Sequence, residues 1–216
     1  MVMMLLGLSA CAGTRAAEKT RDTLPQWFVD PSLHPRYSRG THLTASASAL
    51  NPDEARITAT VLLLRQLGGI EDTAEDVRVT GGGACEGKIH LEGVHYRPYA
   101  LSWQLVRMEE GRWGTAYYAF AFLDRAQAAS KLRPVFSAAM HRYTRVRDSS
   151  LVAPYFAPAR EAFSAAAGLA LELSSVVGNR AAIDALTEDF VKVQTTRILI
   201  ENGCARPLGE KTGLSI

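Results

Sequence analysis

The chain has few cysteines, no long apolar run and almost no net charge, and each shortage narrows what it can be. No stretch of 18 consecutive apolar residues occurs in its 216. A membrane-spanning helix needs about 20, so none is expected. Lys and Arg number 24 against 22 Asp and Glu, a formal charge of +2. That balance gives no broad field for nucleic acid, and no basic run is interleaved with aromatics. A G-x-S-x-G nucleophile elbow is absent. Gly81-Gly82-Gly83 lacks the spaced glycines and following helix of a dinucleotide loop. Between Gly203 and Gly209 lie five residues where a phosphate-binding loop has four, and Glu210 separates Gly209 from Lys211, which excludes such a loop. Apolar residues make up 47% and charged residues 21% of the chain, so the composition is that of an ordinary globular protein.

What is present begins at the N-terminus. MVMMLL is followed by Leu8-Ser9-Ala10-Cys11, a branched apolar residue, two small residues and a cysteine. This is similar to a bacterial lipobox, in which the cysteine is acylated and becomes the new N-terminus. Residues 1–10 are then a signal peptide, although its usual cationic start is missing. Cys11 is the lipidation site, and residues 12–24 (AGTRAAEKTRDTL) form a small, charged tether without periodicity. Such a tether spans roughly 20 Å, too little to cross a periplasm. Ala12 stands where aspartate signals inner-membrane retention in such lipoproteins, so the outer membrane is expected. With Cys11 lipidated, Cys85 and Cys204 remain either as a disulfide pair in an oxidising compartment or as separate thiols.

Along the remaining chain the patterns predict an α+β protein: a strand–helix–strand–strand core with an antiparallel sheet, a helical extension and a final strand. PQWFVDP, residues 25–31, reads as extended and packs Trp27 and Phe28 on the domain. Alternation over 38–47 predicts a strand, with Leu43, Ala45 and Ala47 on one face and Thr44, Ser46 and Ser48 on the other. Asn51-Pro52-Asp53-Glu54 starts a helix to Leu67, with Ile57, Val61 and Leu64 as its buried stripe and Gly68-Gly69 as its end. Short strands are expected at 77–80 and within 84–96. A hairpin is expected from Tyr99–Arg107 and Trp113–Leu123, turning at Glu110-Gly111. Helices follow at 125–147, kinked at Pro134, at 158–177 and from Asn179 to Phe190, and Val191–Ile200 reads as the last strand. The alanine-rich face of 158–190 either packs internally or stays open to dock a partner. The expected division is 25–132 for the α+β domain and 133–216 for the helical extension with its terminal strand.

Three passages together resemble one family. They are the lipobox with its tether and Pro25-x-Trp27, the passage TASASALNPDEARITATVLLLRQL (44–67), and GTAYYAFAFLDRAQAASKL (114–132). Their order and spacing are similar to the bacterial outer-membrane lipoproteins of the twenty-kilodalton (LPP-twenty-type) family, over residues 11–132. The resemblance implies a strand–helix–strand–strand core, envelope anchoring and, for several relatives, flagellar or surface roles. It implies no catalytic residues.

Candidate chemistry is sparse. His90 and His95 are five residues apart, on opposite faces if the segment is a strand, and Glu92 shares a face with His90. A metal-binding hydrolase using Cys85, His90 and His95 is one alternative, and an activator of an envelope enzyme is another. The favoured expectation is a structural or interaction lipoprotein that is not an enzyme and needs no cofactor or metal. Its partners would be the membrane, through acyl chains, and another envelope protein or a second copy.

Overall fold

The computed structural model describes residues 25–79, 86–98, 101–147 and 156–204. The expected signal peptide (1–10), Cys11, the expected tether (12–24) and Cys85 lie outside these residues.

The fold is α+β. Strand β1 (His42–Ala49) pairs antiparallel with β5 (Ala116–Asp124), and β5 pairs antiparallel with β4 (Arg107–Trp113), so the sheet order is β1-β5-β4. A separate two-stranded ribbon joins β2 (Glu75–Val79) and β3 (Gly87–Leu91). The helices are a single turn α1 (Gln26–Val29), then α2 (Pro52–Leu64), α3 (Arg125–Arg147), α4 (Phe156–Val177) and α5 (Ala181–Glu201).

Local chemistry explains most of these elements. The Asn51 side chain accepts the N–H of Asp53 at 2.8 Å, and Pro52 occupies the first helical position, as the sequence predicts for α2. Gly68, at φ 99°, ends the 3-10 turn Arg65–Leu67, where its absent side chain also leaves room for Leu171. Pro134 sits inside α3 on its exposed side, so the Ser130 carbonyl it leaves without an amide faces water, and the helix continues to Arg147.

Alternation sorts the sheet into two faces. Leu43, Ala45 and Ala47 of β1 and Ala119, Ala121 and Leu123 of β5 form the inner face, packed with Ala55, Ala59 and Leu63 of α2, Ala128 and Leu132 of α3, and Leu169, Leu173 and Val176 of α4. A second cluster joins Tyr143 of α3, Phe163, Ala166 and Ala170 of α4, and Ile183, Leu186 and Phe190 of α5. Phe163 and Phe190 stack with ring centroids 3.9 Å apart. The alanine face of α4 is therefore internal, which lets α3 and α5 approach it closely. The expected boundary at residue 132 falls within α3, and α4 contributes to both clusters.

Several expectations are corrected. The final strand at 191–200 is absent: α5 continues through it to Glu201, because Val193 and Gln194 turn into the helical core. Residues 101–105 form a 3-10 turn rather than a strand, and the hairpin runs through β4 and β5 with its turn at Gly114, φ 59°. Ile57 and Val61 face outward, at 62% and 42% exposure, and the buried stripe of α2 is Ala55, Ala59 and Leu63. Small side chains sit inward because the helix lies directly on an alanine-lined sheet. PQWFVDP is not extended: it forms α1 and a following 3-10 turn, Pro31–Leu33, capped by Asp30, whose carboxylate accepts the Ser32 N–H at 3.0 Å.

Candidate functional site

Among the described residues, those singled out from sequence do not converge. His90 bonds Asp76 through Nδ1 at 2.9 Å, and His95 pairs with Asp72 at 3.2 Å. Glu92 lies 3.9 Å from Arg160 on α4. Among the described residues no group of three or more His, Cys, Asp or Glu side chains is placed to hold a metal ion. Cys204 is disulfide-bonded, and its partner lies outside the described residues.

The structure assembles a different cluster on the outer face of the sheet. Every second residue of β5 there is aromatic: Tyr118, Phe120 and Phe122. The segment 25–37 lies across them. Trp27 meets Phe120 edge-on at 5.1 Å between centroids, and Tyr37 stacks on Phe122 at 4.0 Å. Gly111 of β4 lies opposite Tyr118, and a Cβ there would run into the Tyr118 ring. Glycine is therefore required for the ring to lie over the strand.

His34 is buried in this cluster, with its ring 4.5 Å from Phe120 and 4.6 Å from Tyr37. Its Nδ1 accepts the Arg36 N–H at 3.2 Å, so in the neutral ring the proton is on Nε2, which faces Glu109 at 3.6 Å. The Tyr37 hydroxyl donates to the same carboxylate at 2.9 Å, and Arg36 approaches it at 3.6 Å. Burial holds the His34 pKa below the ordinary imidazole value, with Glu109 opposing. Burial, followed by the bond to Glu109, raises that of Tyr37. A neutral imidazole packed between rings is suited to fastening the N-terminal segment to the sheet.

Beside this cluster runs an open cleft of about 490 Å³ along β1. Val29, Pro31 and Ser32 stand on one side, and Leu62 and Gln66 on the other. Arg39, His42 and Arg125 also line it. Arg125 is fixed by donating Nη1 to the carbonyls of Ser175 (3.0 Å) and Val176 (2.7 Å) at the C-terminus of α4, and Nε to that of Arg39 (3.1 Å).

The phase of the ladder decides what β1 offers. The Arg125 N–H bonds the Thr41 carbonyl at 2.9 Å, and Thr41 precedes the register pair His42–Asp124. Alternation then directs the backbone groups of Leu43, Ala45 and Ala47 to β5 and those of His42, Thr44, Ser46 and Ser48 to the open edge. Two contacts agree with this: the His42 N–H bonds the Ser38 carbonyl at 2.8 Å, and the Gln66 amide donates to the Thr44 carbonyl at 2.8 Å.

Sequence reading missed His34, Tyr37, Glu109 and the cleft. The aromatic alternation of β5 is the signal for the cluster, since such a face needs a cover, and Trp27 and Phe28 do pack there as expected. No sequence signal marks β1 as an edge strand, because an edge is defined by what fails to pair with it. Searched against known proteins, the chain matches no protein-family model, no curated protein and no solved structure.

Proposed function

We propose that the protein is a lipid-anchored interaction module of the bacterial outer membrane, of the twenty-kilodalton lipoprotein type, with acyl chains on Cys11. The observation that carries this is Leu8-Ser9-Ala10-Cys11 followed by a small, charged stretch up to Pro25, where the described fold begins. Stable anchoring takes more than one acyl chain, as bacterial lipoproteins carry. The strand–helix order of β1 and α2, and the aromatic strand β5 running into α3, are the elements on which the resemblance rests. An open cleft beside a rigidly covered sheet face supports binding as the task of the domain. In cells, Cys11→Ser should abolish palmitate labelling and move the protein from the outer-membrane fraction to the soluble periplasm. Unchanged fractionation without any lipid label overturns the reading.

A further inference from the structure

We propose that the open edge of β1 binds an extended peptide that pairs antiparallel with it and presents a carboxylate at its C-terminal end. This deepens the reading of the domain as a binding module and does not depend on Cys11.

The first argument is the edge itself. Among the described residues, the outward N–H of Thr44 and the outward N–H and C=O groups of Ser46 and Ser48 have no backbone partner. The outward Thr44 carbonyl is held only by the amide of Gln66, an exposed side chain that can swing away. Proteins usually protect an edge strand with charges, proline or a bulge. The other edge of this sheet follows that rule: β4 carries Arg107, Glu109, Glu110 and Arg112. From Leu43 to Ala49, β1 reads LTASASA, without a charge or a proline. The two edges of one sheet are thus treated differently, and the unprotected one lies at the floor of a cleft.

The second argument is shape. An added strand sends alternate side chains to opposite faces. Here one set would meet Val29 and Pro31, and the other Leu62 and Gln66. The small side chains of β1 leave the floor clear.

The third argument is charge and direction. The charged residues lining the cleft are Arg39 and Arg125, with His42 beside them; Asp30 lies 3.8 Å from Arg39 and Asp124 3.9 Å from His42, but among the described residues no carboxylate lines the cleft itself, which leaves its basic end facing the open edge. All three lie at the N-terminal end of β1 or next to it. A peptide running antiparallel to β1 places its C-terminal end there. The geometry therefore selects a terminal carboxylate or a C-terminal acidic side chain.

The test uses the full-length lipidated chain in detergent micelles and a displayed library of random octapeptides with free C-termini. Selection should enrich peptides with β-branched residues at alternating positions and an acidic C-terminal end. A selected peptide should lose about tenfold in affinity when its C-terminus is amidated and its acidic side chain neutralised, as expected for removing a close charge pair. Ser46→Pro, which removes an outward donor, should abolish binding. Because that variant can misfold, Arg39→Glu at an exposed position is the second probe: it should weaken the acidic peptide about tenfold and leave its amidated, neutralised form unchanged. No enrichment, or enrichment equal on wild type and Ser46→Pro with native circular dichroism, overturns the proposal. A concentration-dependent dimer that is lost in Ser46→Pro, with no captured peptide, also overturns it and identifies a second copy as the occupant. Absence of palmitate label on the wild-type chain, with peptide capture intact, would reject the anchoring reading alone.

Discussion

At the residue scale, two buried polar side chains make opposite predictions. Glu172 on α4 is fully buried, and its carboxylate accepts the backbone N–H of Leu101 at 3.2 Å and that of Ser102. It caps the 3-10 turn from a helix far away in sequence. Glu172→Ala strands both amides and should cost about 2–4 kcal/mol in urea unfolding. The neighbouring Ser102 hydroxyl is buried without a hydrogen-bond partner among the described residues, so Ser102→Ala should be neutral or stabilise by up to about 1 kcal/mol. His34 adds a pH dependence. Unfolded, its imidazole titrates near 6.5, while burial lowers its pKa in the folded chain. Above about pH 6.5 both states are neutral and its contribution is complete; as pH falls through that value the unfolded chain takes up the proton first, and stability drops until the folded pKa is reached. His34→Phe keeps a ring in the stack and removes this limb. Its melting temperature should fall less than the wild type's between about pH 7.5 and pH 5, measured by scanning calorimetry.

At the element scale, α2 and α5 show how packing sets a helix's orientation and length. The buried positions of α2 are Ala55, Ala59 and Leu63, so Val61→Asp should cost less than about 1 kcal/mol, whereas Ala59→Leu should cost about 1–3 kcal/mol by overpacking against the sheet. The order of the two melting temperatures checks which face is inside. In α5, Lys192 is exposed and pairs with Glu188 one turn earlier, at 2.8 Å. Lys192→Pro should cost about 3 kcal/mol and reduce the helical circular dichroism signal, the cost of a proline in a helix interior. The alternation of Val191, Val193 and Thr195 imitates a strand, but Ile183, Leu186, Phe190 and Val193 form a continuous helical stripe against α3 and α4. Nearly three turns of helix outweigh the local β-branched pattern because only the helical register carries the buried stripe on to Val193.

At the scale of the whole molecule, the two hydrophobic clusters share α3 and α4, so the sheet and the helices should unfold together in one transition, seen as coincident fluorescence and circular dichroism curves. With Cys204 disulfide-bonded and three cysteines in the chain, lipidation of Cys11 leaves Cys85 as its partner. Non-reducing peptide mapping should recover a Cys85–Cys204 link, and a Cys11–Cys204 link would contradict lipidation. Much of the fold was legible: the cap of α2, the two faces of β1, the aromatic strand β5 and the helices from residue 125 as far as Phe190 all follow from patterns a few residues long, whereas the last turns of α5 read as a strand. The 3-10 turn at 101–105 was not, because its amides are satisfied by Glu172. The candidate site was the least legible part. His34 meets Glu109 and Phe120 only after the N-terminal segment folds across the sheet, and the His90–His95 pattern separates onto two different aspartates. The sequence by itself determined the periodicities, the caps and the α+β class, since these depend on neighbours along the chain. Only the tertiary structure decided which strand is left as an open edge, which helix face is buried and which charges meet across it, because each of those depends on groups that are distant in sequence and brought together by packing.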